Sequence, residues 1–222
     1  MSNQPLKTIV SIVIILAYCS IAAVGGAVTH IEPVDETQED GSFAVFKKEL
    51  KTAIQKKNST FIEKILSDDV EYAFGADPER KSAVDGFLRH YELKDRNSFV
   101  FWKNLKEVID LGCTKSGESF VCPYVYSKWP DKLDSFSFVV TTKAKTPVRR
   151  KPESSAEILK FASVEILKLT HVQQESLWYS VELGGKQIGF VSKSEARGPT
   201  DYRAEFQKTS KGWRLTYFIA GD

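Results

Sequence analysis

The stretch from Pro147 to Val191 constrains the fold of this chain most, because its turns, strands and apolar positions can be read together. Short apolar runs at strand spacing fill its middle: Ile158 and Leu159, then Val164, Ile166, Leu167 and Leu169. Further on, Gly184-Gly185 separates two more apolar runs and supplies the positive φ of a tight hairpin turn. We expect Trp178 in the interior. The stretch therefore predicts a compact all-β unit.

The residue pattern of this unit resembles one known domain family. Val-Arg-x-x-Pro at 148–152 is followed by the apolar middle and then by Trp-x-x-Val-x-Leu-x-Gly-x-x-x-Gly-Phe-Val at 178–191. This pattern resembles the bacterial Src-homology-3 domain over roughly Phe138 to Ala196. The resemblance implies a small barrel of five or six strands, of a kind common in cell-envelope proteins. We assign residues 136–198 to it.

The first 29 residues have the composition of an export signal. Lys7 is the only charged side chain before an uncharged, Ile- and Val-rich run from Thr8 to Thr29. Small residues follow the apolar core and suit cleavage, which we favour over an uncleaved inner-membrane anchor formed by residues 9–28. In either case the sequence predicts a periplasmic or secreted protein, in contact with the membrane only through this segment.

Residues 30–42 are polar and acidic, and we expect a tether without a core of its own. Helical periodicity follows from Phe43 to Gly112, with apolar stripes such as Phe46, Leu50 and Ile54, and a capping box at Thr60-x-x-Glu63.

Strand patterns flank the all-β unit on both sides. Cys113 to Tyr126 predicts one hairpin and Tyr202 to Ile219 another, in which Trp213, Leu215, Tyr217 and Ile219 alternate with polar residues. Since two strands cannot stand alone, we expect the final strands to pack with the helices before residue 112. The sequence thus predicts an α+β fold, with helices on an antiparallel sheet (43–135 and 199–222) and an inserted barrel.

The flanking region, with its opening helices and closing strands, resembles the nuclear-transport-factor-2-like fold, a curved sheet wrapped by helices around a cone-shaped pocket. The whole arrangement is similar to a family of exported bacterial proteins in which such a region surrounds a Src-homology-3 barrel. The resemblance implies a pocket in the flanking region.

Cys113 and Cys122 are the two cysteines after the leader. If Gly117-Glu118 forms a two-residue turn, residues whose numbers sum to 235 face each other, and this pair is a non-hydrogen-bonded one. Cα atoms there approach to about 4.5 Å, close enough for a disulfide. We expect that bond outside the cytoplasm; two free thiols or a metal pair are the alternatives, although further ligands at metal spacing are missing.

Signs of catalysis are sparse. The sequence has no Gly-x-Ser-x-Gly elbow, phosphate loop, His-Glu-x-x-His or Cys-x-x-Cys motif, so no catalytic residue, metal or cofactor is predicted. The net charge of +2 gives no basis for nucleic-acid binding. The candidates for lining a pocket are His90, Trp102, Tyr124, Tyr126 and Tyr217, although such aromatic residues are more often core.

A basic patch marks the entry to the all-β unit, where Lys143, Lys145, Arg149, Arg150 and Lys151 crowd one strand and loop. We predict ligand binding by Lys145, Arg149, Arg150, Lys151 and Tyr179, against the alternative of a solvated strand that resists edge aggregation. The sequence therefore favours a non-enzymatic envelope protein that binds wall peptide, anionic polymer or protein. A small-molecule carrier or enzyme using the cone pocket is the alternative from another class.

Overall fold

The computed structural model describes residues 30–75, 82–94, 98–170 and 176–221. Four helices precede the first hairpin: α1 Gly41–Gln55, α2 Ser59–Ile65, α3 Ala83–His90 and α4 Phe99–Asp110. Helix α1 begins where the Asp40 side chain accepts hydrogen bonds from the Ser42 and Phe43 amides at 2.8 and 3.2 Å. Helix α2 is capped by Asn58, whose side chain accepts from the Phe61 amide, so the predicted capping box at Thr60 is wrong by two residues.

The helices pack on a five-stranded sheet with the order β1-β12-β11-β3-β2. Its strands are β1 Leu66–Glu71, β2 Thr114–Ser116, β3 Ser119–Cys122, β11 Arg203–Thr209 and β12 Gly212–Ile219. The last two strands return to the helices, as predicted, and β12 lies between β11 and β1. The α+β class is confirmed. The sheet is antiparallel except for β1, which runs parallel to β12.

Large aromatic side chains fill the space between helices and sheet, and we call this part of the molecule the body. The Phe43 ring is fully buried and stacks on Phe120, with ring centroids 3.8 Å apart and planes within 3°. Trp213 meets the same ring edge-on at 4.9 Å. This single cluster joins α1 to strands from both ends of the chain, which explains why the last residues are needed for the first helices to bury their apolar stripes.

The predicted disulfide is present in the β2–β3 hairpin. The register pairs Thr114 with Val121 and Ser116 with Ser119, and the turn lies at Gly117-Glu118. Cys113 and Cys122 are bonded, with Cα atoms 4.3 Å apart. Both cysteines are buried, so the bond closes the end of the hairpin inside the body. A short helix, α5 Tyr124–Ser127, follows the cis peptide bond before Pro123.

The inserted segment forms a second region, which we call the β module. Strands β4 Phe138–Thr141, β7 Ile166–Lys168 and β10 Ala196–Arg197 form one sheet in the order β10-β4-β7. Strands β5 Thr146–Arg149, β6 Ile158–Ala162, β8 Trp178–Glu182 and β9 Ile188–Ser192 form another in the order β6-β5-β9-β8. Small aliphatic side chains from both sheets share one core: Val139, Val148, Ala162, Leu167, Val181, Val191 and Ala196.

The β8–β9 hairpin agrees with the predicted turn but differs from the predicted interior. Gly184 and Gly185 have φ of 85° and 53°, as the turn requires. A Cβ at Gly189 would lie 2.6 Å from Val148 Cγ1, so the close approach of β9 to β5 needs glycine there. Trp178, expected inside, is half-exposed, while Val181 is fully buried. The interior of the module is therefore built from aliphatic residues.

Residues 30–40, the N-terminal strap, correct another expectation. Instead of a tether without a core, the strap packs on both regions: Ile31 is buried with Val140 and Ile166, and Asp35 pairs with the buried Lys47 at 2.9 Å. The predicted leader, residues 1–29, lies outside the described residues. Within the part of the chain that the structure describes, no helix has the length and apolarity to cross a membrane.

Candidate functional site

The predicted basic patch is partly occupied by contacts with its own neighbours. Arg150 donates to Glu157 through Nε at 2.7 Å and through Nη2 at 3.3 Å, across the loop between β5 and β6. Arg149 Nη1 donates to the Ala156 carbonyl at 2.7 Å. These contacts close the loop on itself, so the two arginines have fewer donors left for a ligand.

The remaining cations of the patch are spread out. Lys145 lies over the Phe161 ring, 4.6 Å from its centroid, and Lys143 pairs with Glu195 at 3.0 Å on another side of the module. Lys151 is exposed at the tip of the loop. The geometry favours the alternative reading, in which the charges keep this strand and loop solvated.

The five pocket candidates do not all come together, although Tyr126 and Tyr217 lie close enough to interact electrostatically. Trp102 is buried among the aromatic residues of the body, and Tyr124 is buried in a separate cluster with Ile31. His90 is exposed at the end of α3, and Tyr126 is exposed under Arg203, whose guanidinium lies 4.8 Å from the ring centroid.

Tyr217 is not part of the body core because a bulge interrupts the alternation of inward and outward side chains in β12. The β11–β12 register slips by one residue, pairing Glu205 with Tyr217 but Phe206 with Leu215. Such a bulge moves the following side chains to the other face. Phe218 therefore fills the core, and Tyr217 is left half-exposed beside Glu205.

A cleft lies between α4 of the body and the β module, with a volume of about 490 Å³. That size is within the range of small-molecule sites. One wall is α4 and its end, and the other is the module with the segment that leads from β10 into β11. The charged and aromatic residues that line it are Lys103, Lys106, Glu107, Asp110, Lys143, Tyr179, Lys193, Arg197, Asp201 and Tyr202.

Arg197 is the central residue of this cleft. Strand β10 pairs it with Val140 of β4, which fixes its backbone at the edge of the module. Its side chain is 8% exposed, and Nη2 donates to the Tyr202 carbonyl at 2.6 Å. Within the described ranges, Nε of this guanidinium is buried without a hydrogen-bond partner. A buried charged donor without an acceptor is costly, so the arrangement favours an additional acceptor.

The electrostatics around Arg197 come from a few nearby groups. Burial lowers the pKa of Arg197, and the carboxylates of Asp201 and Glu107 oppose that shift. The Asp201 carboxylate is held in place by the Gly198 amide, which donates to its Oδ2 at 2.9 Å. An arginine side chain keeps its charge in proteins, so the cleft contains a fixed cation with two carboxylates near it.

Charge is distributed unequally over the two walls. On α4, Lys103 and Lys106 are balanced by Glu107 and Asp110. The module wall contributes three cations, Lys143, Lys193 and Arg197, against the carboxylate of Asp201, and Lys143 is also paired with Glu195 outside the lining. Positive charge is therefore in small excess on the module side of the cleft, which favours an anionic group there.

Tyr179 joins the cations on the module wall. Lys193 Nζ lies over its ring, 5.1 Å from the centroid. Burial, assisted by Asp201, raises the pKa of Tyr179, so its hydroxyl stays protonated at neutral pH. Tyr179 was predicted to bind ligand, and it is the one predicted ligand residue that lines the cleft. The wall supplies fixed positive charge, an aromatic face and a neutral hydroxyl, which suit binding of an anion.

Within the described ranges, no group of three or more His, Cys, Asp and Glu residues is placed to hold a metal ion. Comparison with known proteins found no matching family model, curated protein or solved structure. The function is therefore argued from the geometry of the cleft.

The sequence pattern missed Arg197, Lys193, Glu107 and Asp201. Arg197 stands between Ala196 and Gly198 at the end of the all-β unit, and nothing in that spacing marks a buried cation. The other three residues carry charges that are ordinary for a helix surface or a turn, and only the folded chain brings them to one cleft.

Proposed function

We propose that this protein is a non-catalytic binding protein of an oxidising, extracytoplasmic compartment, and that it binds a carboxylate-bearing ligand in the cleft between α4 and the β module. The observation that carries the proposal is the Arg197 guanidinium, which lines the cleft and makes one side-chain hydrogen bond among the described residues, from Nη2 to the Tyr202 carbonyl. A planar guanidinium matches a planar carboxylate through two parallel hydrogen bonds. Lys193 and Tyr179 extend the same wall.

The compartment is supported by the disulfide and by the leader composition. Disulfides persist where the environment is oxidising, and the Cys113–Cys122 bond is consistent with an exported location. The leader expectation rests on sequence alone. Ligands with carboxylates in such a compartment include the peptides and anionic polymers of a cell envelope, as well as proteins.

We further propose that the β module is a Src-homology-3-type barrel. Support comes from its two sheets around one aliphatic core and from the isolated bridge between Leu169 and Val181, which links the strands of one sheet to the other. For the body, helices against one face of a sheet support a nuclear-transport-factor-2-like fold.

The proposed site differs from the one expected from sequence. The loop between β5 and β6 uses Arg149 and Arg150 for its own closure, whereas Arg197 retains unused donor capacity. We therefore propose that the ligand binds in the cleft rather than at the loop, and that Tyr179 takes part in binding it.

Isothermal titration calorimetry with N-acetyl-L-leucine, a monocarboxylate with an apolar side chain, tests the proposal on the full chain. Arg197→Lys keeps the charge but loses the guanidinium fork, so affinity should fall by about ten- to hundredfold, the range of charge-assisted hydrogen bonds. Arg150→Gln is the matched control in the loop and should leave affinity unchanged.

Two further measurements complete the design. Lys193→Gln should weaken binding only a few-fold, since Lys193 is the less buried cation, and circular dichroism checks that each variant is folded. The proposal is wrong if wild-type protein does not bind the probe, or if Arg150→Gln weakens binding as much as a folded Arg197→Lys does.

A further inference from the structure

This inference rests on the proposed function and narrows its ligand class. We infer that the ligand is a zwitterion, an amino acid or short peptide whose carboxylate lies against Arg197 and whose ammonium lies against Glu107 on α4. The basis is that Glu107 on α4 and Arg197 on the module line the same cleft, with the carboxylate of Glu107 close enough to act on the buried guanidinium.

The two acids on α4 differ in how strongly they are already paired. Asp110 accepts from Lys106 at 2.5 Å and from Lys51 at 2.9 Å, so its charge is compensated twice. The ion pair that Glu107 makes with Lys103, one turn earlier, is 3.9 Å long, and both side chains are about half exposed. Exposed pairs of this length contribute little. Glu107 therefore keeps acceptor capacity for a ligand cation.

The acids also select against other anions. A phosphate dianion beside Arg197 would lie near the carboxylates of Asp201 and Glu107, which both act on the guanidinium. Like charges at short range cost free energy in a partly buried site. A singly charged carboxylate is repelled less, and an ammonium in the same molecule turns the repulsion by Glu107 into attraction.

The remaining lining suits the rest of such a ligand. Leu111, Ala196, Tyr202 and Ala220 add apolar surface between the charged walls, and the volume of about 490 Å³ accommodates a dipeptide with an apolar side chain. The two charged groups of a short peptide lie at its opposite ends, as Arg197 and Glu107 lie on different walls of the cleft.

The test compares three compounds that share one dipeptide and differ at its charged ends: L-alanyl-L-leucine, its N-acetyl form without the ammonium, and its C-terminal amide without the carboxylate. Calorimetry on the full chain should show the free dipeptide binding at least about tenfold more tightly than either derivative. In Glu107→Gln the advantage of the free dipeptide over the N-acetyl form should shrink to about one, because the free dipeptide loses an attraction and the N-acetyl form, no longer repelled, binds at least as well as before.

The outcomes separate the two proposals. Equal binding of the free and N-acetyl dipeptides by the wild-type protein overturns the zwitterion and leaves carboxylate binding intact. If only the amide binds, or if none of the three compounds binds, the proposed function falls as well. The comparison in the wild-type protein needs no variant, so a misfolded Glu107→Gln would not prevent a decision. Inorganic phosphate binding more tightly than the dipeptide would also overturn the inference.

Discussion

The body and the β module bury their interiors in different ways. The body uses large aromatic rings, with Phe43 stacked on Phe120 and met edge-on by Trp213, and it closes one hairpin with a disulfide. The module relies on small aliphatic residues such as Val148 and Val181, contributed by two short-stranded sheets.

This difference bears on the junction between the two regions. Because hydrophobic stabilisation scales with buried apolar area, a core of valines and alanines gives the module less stability than the aromatic core gives the body. The module gains support where the strap packs between it and the body. Arg197 lies at the same junction, where its side chain is largely buried in the module and lines the cleft between the two regions.

The largest expected effect is in the aromatic core. Phe43→Ala should lower the free energy of unfolding by about 3–5 kcal/mol, because it removes a fully buried ring and leaves a cavity. Val181→Ala, equally buried in the module, should cost only about 2 kcal/mol, since it deletes two methyl groups. Urea denaturation of both variants measures the difference. Equal losses would break the contrast between the two cores.

Loss of the disulfide should have the next largest effect. Replacing Cys113 and Cys122 together by alanine should destabilise the protein by about 2–3 kcal/mol, the entropic value of a cross-link that closes a short loop. Denaturation of the wild-type protein with and without reductant provides a parallel measurement. A double variant as stable as the wild type would show that the hairpin is held by packing alone.

The strap should contribute less and in a pH-dependent way. Burial acts to raise the pKa of Asp35, but hydrogen bonds from Lys47, Thr37 and the Cys113 amide outweigh it and lower that pKa. A carboxyl with a depressed folded-state pKa stabilises the fold above its ordinary pKa of 3.8, and this contribution is lost as the pH falls through the folded-state value.

Asp35→Asn should therefore cost about 1–2 kcal/mol at neutral pH, less than a fully buried pair because Asp35 is half exposed. The difference from the wild type should shrink below pH 3.8, which urea denaturation at several pH values measures. A difference that does not depend on pH would contradict the role of the carboxylate. Glu39→Gln, on the same strap, serves as the control.

The smallest effect is expected in the loop between β5 and β6. Arg150→Gln breaks a solvent-exposed pair with Glu157 and should leave the free energy of unfolding nearly unchanged. Thermal unfolding at low and high salt measures this. A loss as large as that of Asp35→Asn would mean that loop closure supports the module, and would reduce the contrast with the cleft.

The sequence predicted those turns and strand pairs that depend only on the spacing of residues along the chain. The turn at Gly117-Glu118 fixed the pairing of Cys113 with Cys122 by simple counting, and Gly184-Gly185 marked the later hairpin. The return of the last strands followed from the need to bury an amphipathic strand.

Other features depended on information that spacing does not contain. One bulge in β12 moved Tyr217 out of the core and Phe218 into it. Ile31, a single apolar residue in a polar segment, became buried only because the strap crosses both regions. The cleft combines Glu107 and Arg197, 90 residues apart in the chain, and their closeness is a property of the folded protein.

The proposed binding site can be mapped by titrating the ¹⁵N-labelled protein with N-acetyl-L-leucine and following the amide chemical shifts. The shifts should cluster on the two walls of the cleft, at residues 103–111 and 193–202, and Arg197→Lys should weaken them together. Shifts confined to residues 149–158, in the loop between β5 and β6, would contradict the proposed site and return the binding site to the basic patch.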